Sequence, residues 1–298
     1  MELACVTEFQ RSIRAFWPKG PSIPLMLYHY TNADAAHGIL SNNSVWFTSA
    51  KDMVDAGEVQ VGESAILRTT ASLAGKSANP NRVEFLAELQ EEIKHQGPTR
   101  QPGLYLWSLT PENDTPQHWQ SYGDQGRGVS LGLAFEGMRN GKGLATGRSG
   151  ELHEIEFRLV KCLYSEVDVE RVAGNMLERV SQAYETFVEM YPRSKPDAIK
   201  IAGTYCMNYL SEVAASLKAE AFSWEQEWRV YTLIENGEVA PEIRMSARGS
   251  IAYLPVNGLA VEFLKDVQIG PSAKDSQLRQ SLHQVLATRR PKCLARLL

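Results

Sequence analysis

Three short segments of the sequence combine large aromatic rings with side chains that carry charge or move protons. They are Tyr28-His29-Tyr30-Thr31 near the start, Trp119-x-x-Tyr122-Gly123-Asp124 in the middle, and Trp224-Glu225-x-Glu227-Trp228-Arg229 late in the chain. Such rings hold planar ligands by stacking, and the carboxylates stabilise a positive charge that develops in a reaction. Because large rings beside titratable groups are costly to bury unless they face a cleft, the three segments predict one composite site.

The first segment has two interpretations that the sequence leaves open. In an extended strand, His29 and Thr31 point to one side, and Tyr28 and Tyr30 point to the other. His29 either donates a hydrogen bond to a ligand hydroxyl or is a core histidine that bonds to a backbone carbonyl.

The late segment also has two interpretations. As a strand, it would place Glu225, Glu227 and Arg229 on one face, opposite the two tryptophans. That face is either a solvated edge with a weak ion pair, or it carries a catalytic carboxylate whose orientation its neighbours fix.

The middle segment carries two weaker signals. Trp119 and Tyr122 are three residues apart on one side of a helical turn, a spacing typical of core packing as well as of a shelf for a cofactor. The turn from Gly123 to Gly128 has the glycine content of a phosphate loop. It lacks a strand before it and a helix after it, so it fits neither of the common phosphate-binding motifs.

Composition narrows the class of protein. The chain has 298 residues, a net charge of −4, 43% hydrophobic and 22% charged residues, which is ordinary for a globular protein and disfavours a broadly basic nucleic-acid surface. We expect no membrane span, no signal peptide at Met-Glu-Leu-Ala-Cys, and a cytoplasmic location. The four cysteines are scattered, which predicts free thiols in a reducing compartment. The histidines lack metal-like spacing, so no metal is expected.

The hydrophobic pattern predicts an α+β fold. Helices are expected at 3–15, across 57–96, after Pro116, across 167–220 and at 276–287. Strands are expected at 25–30, 45–48, 104–109, 129–135, 155–163, 228–234, 251–256 and 267–269, with a glycine-rich loop at 137–150. Because strands flank a long helical stretch, we predict one domain over 1–298 with a helical insert at 167–220.

In this order, the motifs resemble a widespread bacterial family of unknown function. That family has a Leu-Tyr-His-Tyr strand, a Trp-x-x-Tyr segment followed by Gly-Val, and a Glu-x-Glu-Trp-Arg segment. The family in turn distantly resembles ADP-ribosyltransferases of the His-Tyr-Glu type, here through His29 and Thr31, the strand from Val45 to Ser49, and Glu227. This resemblance implies an ADP-ribosyltransferase-like mixed or antiparallel sheet core, with NAD as a substrate and no metal.

The resemblance also implies roles for individual residues. His29 would bond to a ribose hydroxyl or the nicotinamide amide, Trp46 or Phe47 would stack on the nicotinamide, and Glu227 would bind the ribose 2′-hydroxyl. Glu225 would orient the acceptor. The other residues expected to contact the dinucleotide are Tyr28, Tyr30, Thr31, Ser49, Trp119, Tyr122 and Arg229.

The function expected from these roles is ADP-ribosyl transfer to a protein or nucleic acid, or hydrolysis of NAD, as in a bacterial toxin or an anti-phage effector. Two other classes stay open. One is a non-catalytic module that reads a nucleotide or a partner. The other is a nuclease that binds metal through Asp52, Asp55 and Glu58, although helical spacing makes that run more typical of a solvated face.

Overall fold

The computed structural model describes residues 2–14, 21–53, 56–96, 103–234, 239–246, 249–273 and 276–289. The helices are α1 (Glu2–Arg14), α2 (Ala33–Asn42), α3 (Ala56–Lys76), α4 (Pro80–Gln96), α5 (Pro116–Ser121), α6 (Glu166–Met190), α7 (Lys195–Ser216), α8 (Leu259–Phe263) and α9 (Ser276–Arg289). The strands are β1 (Leu27–Thr31), β2 (Ser44–Ser49), β3 (Gly103–Leu109), β4 (Val129–Leu133), β5 (Asn140–Thr146), β6 (Leu152–Lys161), β7 (Trp228–Ile234), β8 (Glu242–Ser246), β9 (Gly249–Asn257) and β10 (Leu264–Ile269). This mixture of helices and antiparallel strands is α+β, which confirms the predicted class.

The chain divides into two compact units. A helical unit takes residues 1–20, 54–101 and 163–220, and a sheet unit takes residues 21–53, 102–162 and 221–298. The structure therefore differs from the predicted single domain with one insert at 167–220. Helices from three separate stretches each carry an apolar side, and they bury these sides against one another in a core of their own.

Aromatic rings from distant helices hold the helical unit together. Phe85 of α4 stacks on Tyr184 of α6 at 4.9 Å between ring centroids, and Phe9 of α1 stacks on Phe187 at 4.6 Å. Ring pairs of this kind add roughly 1 kcal/mol each to the free energy of burial. The N-terminal helix is thereby part of the same core as the central helices.

Six strands of the sheet unit close into a ring. Their order is β2-β3-β7-β6-β5-β9, with β9 pairing back onto β2, and every pairing is antiparallel. Because side chains alternate along a strand, every second residue points into the ring. The inward residues include Phe47, Trp107, Val230 and Leu254, and all four are buried in one core.

A second, three-stranded sheet lies in the order β1-β4-β10. Leu27 and Leu133 of this sheet join the core of the ring, while α2 and α9 pack beside it. Tyr28 and Thr110 exchange both backbone hydrogen bonds, at 2.7 and 3.0 Å, which attaches β1 to the end of β3. This attachment positions the first aromatic segment beside the strands of the ring.

The structure differs from the predicted elements in three places. The predicted glycine-rich loop contains β5, whose Gly141 lies so close to the Phe157 ring that a Cβ would be 2.1 Å from it. The glycines there allow strands to approach closely, which a loop prediction misses. The short strand β8 was not predicted. The segment Glu220–Glu225 is a 3-10 helix, so the strand conformation considered for Glu225 is not observed, whereas the predicted strand 228–234 is β7.

Candidate binding site on the sheet unit

Four rings from the three aromatic segments, together with the adjoining His118, pack together in the sheet unit. We call this set, which consists of Tyr30, His118, Trp119, Tyr122 and Trp224, the aromatic cluster. Tyr30 stacks on His118 at 5.3 Å and meets Trp119 edge-on at 4.9 Å between ring centroids. Trp224 meets His118 edge-on at 5.0 Å and lies near-parallel to Tyr122 at 6.4 Å. The structure thus brings together rings from residues 30, 118–122 and 224.

The cluster has a buried base and an open rim. His118 and Trp119 are almost fully buried, whereas Tyr122 is 43% exposed and Trp224 is half-buried. Large rings at the surface, supported from below by other rings, offer a flat apolar face to a ligand. The rim formed by Tyr122 and Trp224 is therefore the accessible part of the cluster.

A carboxylate lies directly behind this rim. The Tyr122 hydroxyl donates a short hydrogen bond to Oε1 of Glu225, a residue that is itself only 4% exposed. The backbone of Glu225 is fixed as well, because Thr110 Oγ1 donates to its carbonyl at 2.7 Å. This bond brings a carboxylate and an accessible ring to the same place, so the Tyr122–Glu225 pair is the part of the cluster that combines charge with a flat face.

Three polar contacts hold the buried base in place. Trp119 Nε1 donates to Asp114 Oδ1 at 2.7 Å, and His118 Nδ1 lies 2.5 Å from Thr115 Oγ1. Tyr30 donates its hydroxyl to the carbonyl of Glu112 at 3.0 Å, and burial raises the pKa of this phenol. The rings are therefore oriented before any ligand arrives, which lowers the entropic cost of binding.

Glu227 and Arg229 form a buried ion pair. Arg229 Nε donates to Glu227 Oε1 at 3.0 Å, and both side chains are at most 4% exposed. Gln226, between the two glutamates, has φ of 47°, so the chain turns sharply between Glu225 and the strand. The strand alternation that would place Glu225, Glu227 and Arg229 on one face therefore does not extend to Glu225, which ends a 3-10 helix. The Glu225 carboxylate accepts from Tyr122, and the Glu227 carboxylate accepts from Arg229.

His29 lies in a different environment from the tyrosines beside it. Its Nδ1 is 3.1 Å from the carbonyl oxygen of Ser108 and 3.2 Å from Nε1 of Trp107. A neutral imidazole uses one of these at a time, donating to the carbonyl or accepting from the indole. Burial lowers the pKa of His29 to about 4, an effect that the bond to Ser108 only partly offsets. These are the features of a core histidine.

Strand register puts His29 and Glu227 on opposite sides of the β3–β7 ladder. Trp107 and Val230 are paired residues that point into the ring, so Ser108 and Arg229, also paired, point outward. His29 contacts Trp107 on the inner side, and Glu227 binds Arg229 on the outer side. His29 and Glu227 therefore do not line one common hollow, as the resemblance implied.

The alternation of β1 explains this outcome. Tyr28 and Thr110 are paired and share a side, and Thr110 contacts Glu225. Tyr28 and Tyr30 consequently face the aromatic cluster, and Tyr28 packs against it. His29 and Thr31 face the other way. In the first segment the tyrosines, rather than the histidine, belong to the candidate site.

The residues expected on β2 lie away from the aromatic cluster. Phe47 is fully buried in the core of the ring, and Ser49 alternates with it on the same inner side. The Phe47 ring is thereby excluded as a surface for nicotinamide. Trp46 points outward, is 47% exposed, and packs against Tyr253 at 4.4 Å between ring centroids.

The glycine-rich turn is a packing feature. Amides of Gly126, Arg127 and Gly128 donate to carbonyls within the turn, and the amide of Gly270 donates to Gly128 at 2.9 Å. A Cβ on Gly128 would lie 2.1 Å from the carbonyl oxygen of Thr31. Because the amides of Gly126, Arg127 and Gly128 are in use and the glycines allow close approach of the backbone, the turn serves packing, and these amides do not form a phosphate cradle.

Three observations concern the other functional classes and the membrane. Within the described ranges, no three His, Cys, Asp or Glu side chains are arranged to hold a metal ion. Of the acidic run considered for a nuclease, Asp55 and the side chain of Glu58 lie outside the described residues. No helix in the described part of the chain has the length and apolar character to cross a membrane.

The sequence did not single out His118, Trp224, Thr110 or Asp114 as site residues. His118 precedes Trp119 and Trp224 precedes Glu225, so their position beside predicted site residues was the only hint in the sequence that they belong to the site. Thr110 and Asp114 follow β3, and nothing in their spacing marks them. Their role follows from the bridge between Tyr28 and Thr110, which joins segments about 80 residues apart.

In a comparison with known proteins, one part of the chain matches a family model. Residues 118–230 match a family model described as "Protein of unknown function (DUF2971)". No curated protein and no solved structure matches the chain. The match begins at His118 and ends just after Arg229, so its two ends are segments that meet at or beside the aromatic cluster. This chain thus contains a segment similar to the DUF2971 family, and the segment includes His118, Trp119, Tyr122, Trp224 and Glu225.

Proposed function

We propose that the aromatic cluster binds a nucleotide through a positively charged aromatic ring, and that the nucleotide is NAD+. The observation that carries this proposal is the hydrogen bond between Tyr122 and Glu225 at the exposed rim. A ring face and a carboxylate at the same place favour a ligand that is both flat and cationic.

The nicotinamide of NAD+ meets this requirement because its ring is a pyridinium cation. Aromatic faces are electron-rich and attract cations by about 0.5–2 kcal/mol, more when the site is dry. The carboxylate of Glu225 adds Coulomb attraction at short range. NADH has the same sugar and phosphates with an uncharged dihydronicotinamide ring, so it is the natural comparison for the charge.

The sequence resemblance to ADP-ribosyltransferases adds a catalytic form of the proposal. Breaking the nicotinamide–ribose bond sends the bonding electron pair to the nicotinamide nitrogen and leaves positive charge on the ribose C1′, as in glycoside hydrolysis. A carboxylate close to that carbon stabilises the transition state more than the ground state. Water or an acceptor macromolecule, a protein or nucleic acid, then bonds to C1′ and loses a proton. With a macromolecular acceptor the chain would act as a toxin or anti-phage effector.

Glu225 is the carboxylate best suited to this role. The charge of Glu227 is already countered by Arg229 at 3.0 Å, which reduces its effect on a developing cation. Glu225 instead accepts a hydrogen bond from Tyr122, whose ring is the exposed part of the cluster, so it is the carboxylate next to the face that a planar ligand would contact. We therefore assign the catalytic carboxylate to Glu225 in place of Glu227, with Tyr122 as its positioning residue.

A second candidate function is nucleotide or partner binding without catalysis. The observation that favours it is the location of His29 on the far side of the β3–β7 ladder, since the expected histidine does not reach the ring-lined surface. In this case the same cluster holds the ligand, and Glu225 supplies affinity only.

The test is release of nicotinamide from NAD+ by the pure protein, with and without cell lysate as a source of acceptors. Glu225→Gln should abolish release. Glu154→Gln is the control because Glu154 accepts a hydrogen bond from Lys142 on the β5–β6 pair, outside the aromatic cluster and the pair of Trp46 and Tyr253. Release that is unchanged in Glu225→Gln would overturn the catalytic assignment. Binding of NAD+ with no release under any condition would favour the second candidate, and an absence of binding would overturn both.

A further inference from the structure

A second exposed aromatic surface lies on the outer side of the ring of strands. Trp46 of β2 packs on Tyr253 of β9, with 4.4 Å between their ring centroids. The guanidinium carbon of Arg244, on β8, is 5.6 Å from the centre of the Trp46 ring and 6.0 Å from that of Tyr253. Nearly half of the Trp46 surface remains open to solvent. We call these three residues the Trp46 surface.

The Arg244 guanidinium has spare hydrogen-bonding capacity. Its Nη2 makes one long hydrogen bond, 3.4 Å, to Thr48 Oγ1, while its buried Nε has no hydrogen-bond partner. Among the residues that the structure describes, no carboxylate forms an ion pair with Arg244. An arginine that rests on an aromatic face keeps its N–H donors in the plane of the guanidinium, where they match the oxygens of a phosphate.

The nearby acidic groups have other partners. Glu242 Oε2 accepts from the Tyr253 hydroxyl at 2.6 Å, and Asp52 Oδ2 accepts from the amide of Ala252 at 2.8 Å. Burial, followed by the bond to Glu242, raises the pKa of Tyr253 to about 12, so the phenol stays protonated and neutral. The cation at the Trp46 surface is consequently not neutralised by a direct contact.

We propose that the Trp46 surface binds a nucleotide unit, with the base stacked on Trp46 and the phosphate bonded to Arg244. The charge distinguishes this surface from the aromatic cluster. A carboxylate lies behind the rings of the cluster, which suits a cationic ring, whereas a guanidinium lies on the rings here, which repels cations and attracts anions. A free nucleotide and a single nucleic-acid strand present the same base and phosphate, and either is a source of this ligand.

Titration calorimetry with three probes tests the proposal on the full chain. The probes are adenosine, AMP, and an eight-nucleotide oligoadenylate RNA. We expect AMP to bind at least tenfold more tightly than adenosine, because only AMP offers a phosphate to Arg244. Tighter binding of the oligonucleotide than of AMP would identify a strand as the ligand. Equal affinity for the two would identify a free nucleotide.

Variants then locate the binding. Trp46→Ala should weaken AMP binding about tenfold, the size expected for the loss of one stacked base, while Trp46→Phe should retain most of it. Arg244→Gln should remove the preference for AMP over adenosine. Met245→Ser is the matched control, since Met245 is 80% exposed and alternates with Arg244 onto the other face of β8.

The result that overturns the proposal is equally clear. Either no binding of AMP and oligonucleotide at millimolar concentration, or AMP affinity unchanged in both Trp46→Ala and Arg244→Gln, would reject it. Tyr122→Ala separates this inference from the proposed function, because it removes a ring of the aromatic cluster and leaves the Trp46 surface intact. AMP binding lost in Tyr122→Ala and kept in Trp46→Ala would place the phosphate ligand at the cluster and reject this inference alone.

Discussion

Tyr122 and Glu225, which are 103 residues apart in the chain, are joined by a hydrogen bond from the phenol to the carboxylate. One residue is at the end of a short helix and the other ends a 3-10 helix before β7. The bond couples an exposed ring to a buried charge, which is the combination that a cationic planar ligand requires. The predictions on the site follow from this pair.

Removing the Tyr122 ring should weaken NAD+ binding, and removing only its hydroxyl should not. Tyr122→Ala loses the aromatic face and should reduce affinity about tenfold, whereas Tyr122→Phe keeps the face and should change affinity by less than about threefold. Equilibrium dialysis with labelled NAD+ measures both. Equal losses in the two variants would mean that the hydroxyl, and not the ring, holds the ligand.

The Glu227–Arg229 pair should matter for stability more than for chemistry. Glu227→Gln or Arg229→Met alone breaks a buried ion pair and should lower the free energy of unfolding by about 3–5 kcal/mol. The double variant should lose less than the sum of the two, because the two side chains interact directly. Urea unfolding of the parent, the two single variants and the double variant gives the four free energies of a double-mutant cycle. Additive losses would show that the two groups act independently.

His29 should make stability depend on pH between about 4 and 6.5. Its pKa is near 4 in the folded chain and near 6.5 when unfolded, so in this window the unfolded chain binds a proton that the folded chain does not. Stability is full above pH 6.5 and falls as the pH drops, by roughly 2 kcal/mol between pH 7 and pH 5.

His29→Gln supplies the comparison for that effect. Glutamine is polar and does not titrate, so the variant should lose less stability than the parent on going from pH 7 to pH 5. The measurement is the urea midpoint of both proteins at the two pH values. Identical pH dependence would show that His29 is not the desolvated group inferred from its contacts with Ser108 and Trp107.

The glycine-rich turn should be intolerant of a side chain at Gly128. A Cβ there would lie 2.1 Å from the carbonyl oxygen of Thr31, so Gly128→Ala should cost about 1–3 kcal/mol or more by forcing the backbone to move. Gly38 in α2 has nothing within 4 Å of an added Cβ, and Gly38→Ala should stabilise the chain by about 0.5–1 kcal/mol. Thermal unfolding of both variants provides the check. Equal effects would contradict the close packing of the turn.

Local patterns in the sequence account for most of the fold. Periodicity predicts the helical stretch 167–220 that contains most of α6 and all of α7, and alternation predicts β4 and β7. The turn before Trp228 was harder to predict, because a positive φ at Gln226 separates Glu225 from the strand that begins at Trp228. The division into two units depends on which helices share a core. The helices of that core come from three separate stretches of the chain, and local patterns do not show which stretches pack together.

The candidate site was predictable as a meeting of three segments but not in its detail. The motifs supplied Tyr30, Trp119, Tyr122 and Glu225, which do lie together. Which face of β1 meets the other segments depends on the pairing of Tyr28 with Thr110, and a shift of one residue would have exchanged His29 for the tyrosines. For that reason the sequence favours His29 as a site residue and the structure favours its neighbours.

The most direct test of the account is the affinity of the full chain for NAD+ and for NADH, measured side by side for the parent and for Glu225→Gln. We predict that the parent binds NAD+ about tenfold or more tightly than NADH, because only the oxidised ring is a cation. We predict that Glu225→Gln loses most of that preference while still binding both weakly through its rings. Equal affinity of the parent for the two dinucleotides, or a preference that survives in Glu225→Gln, would contradict the central claim.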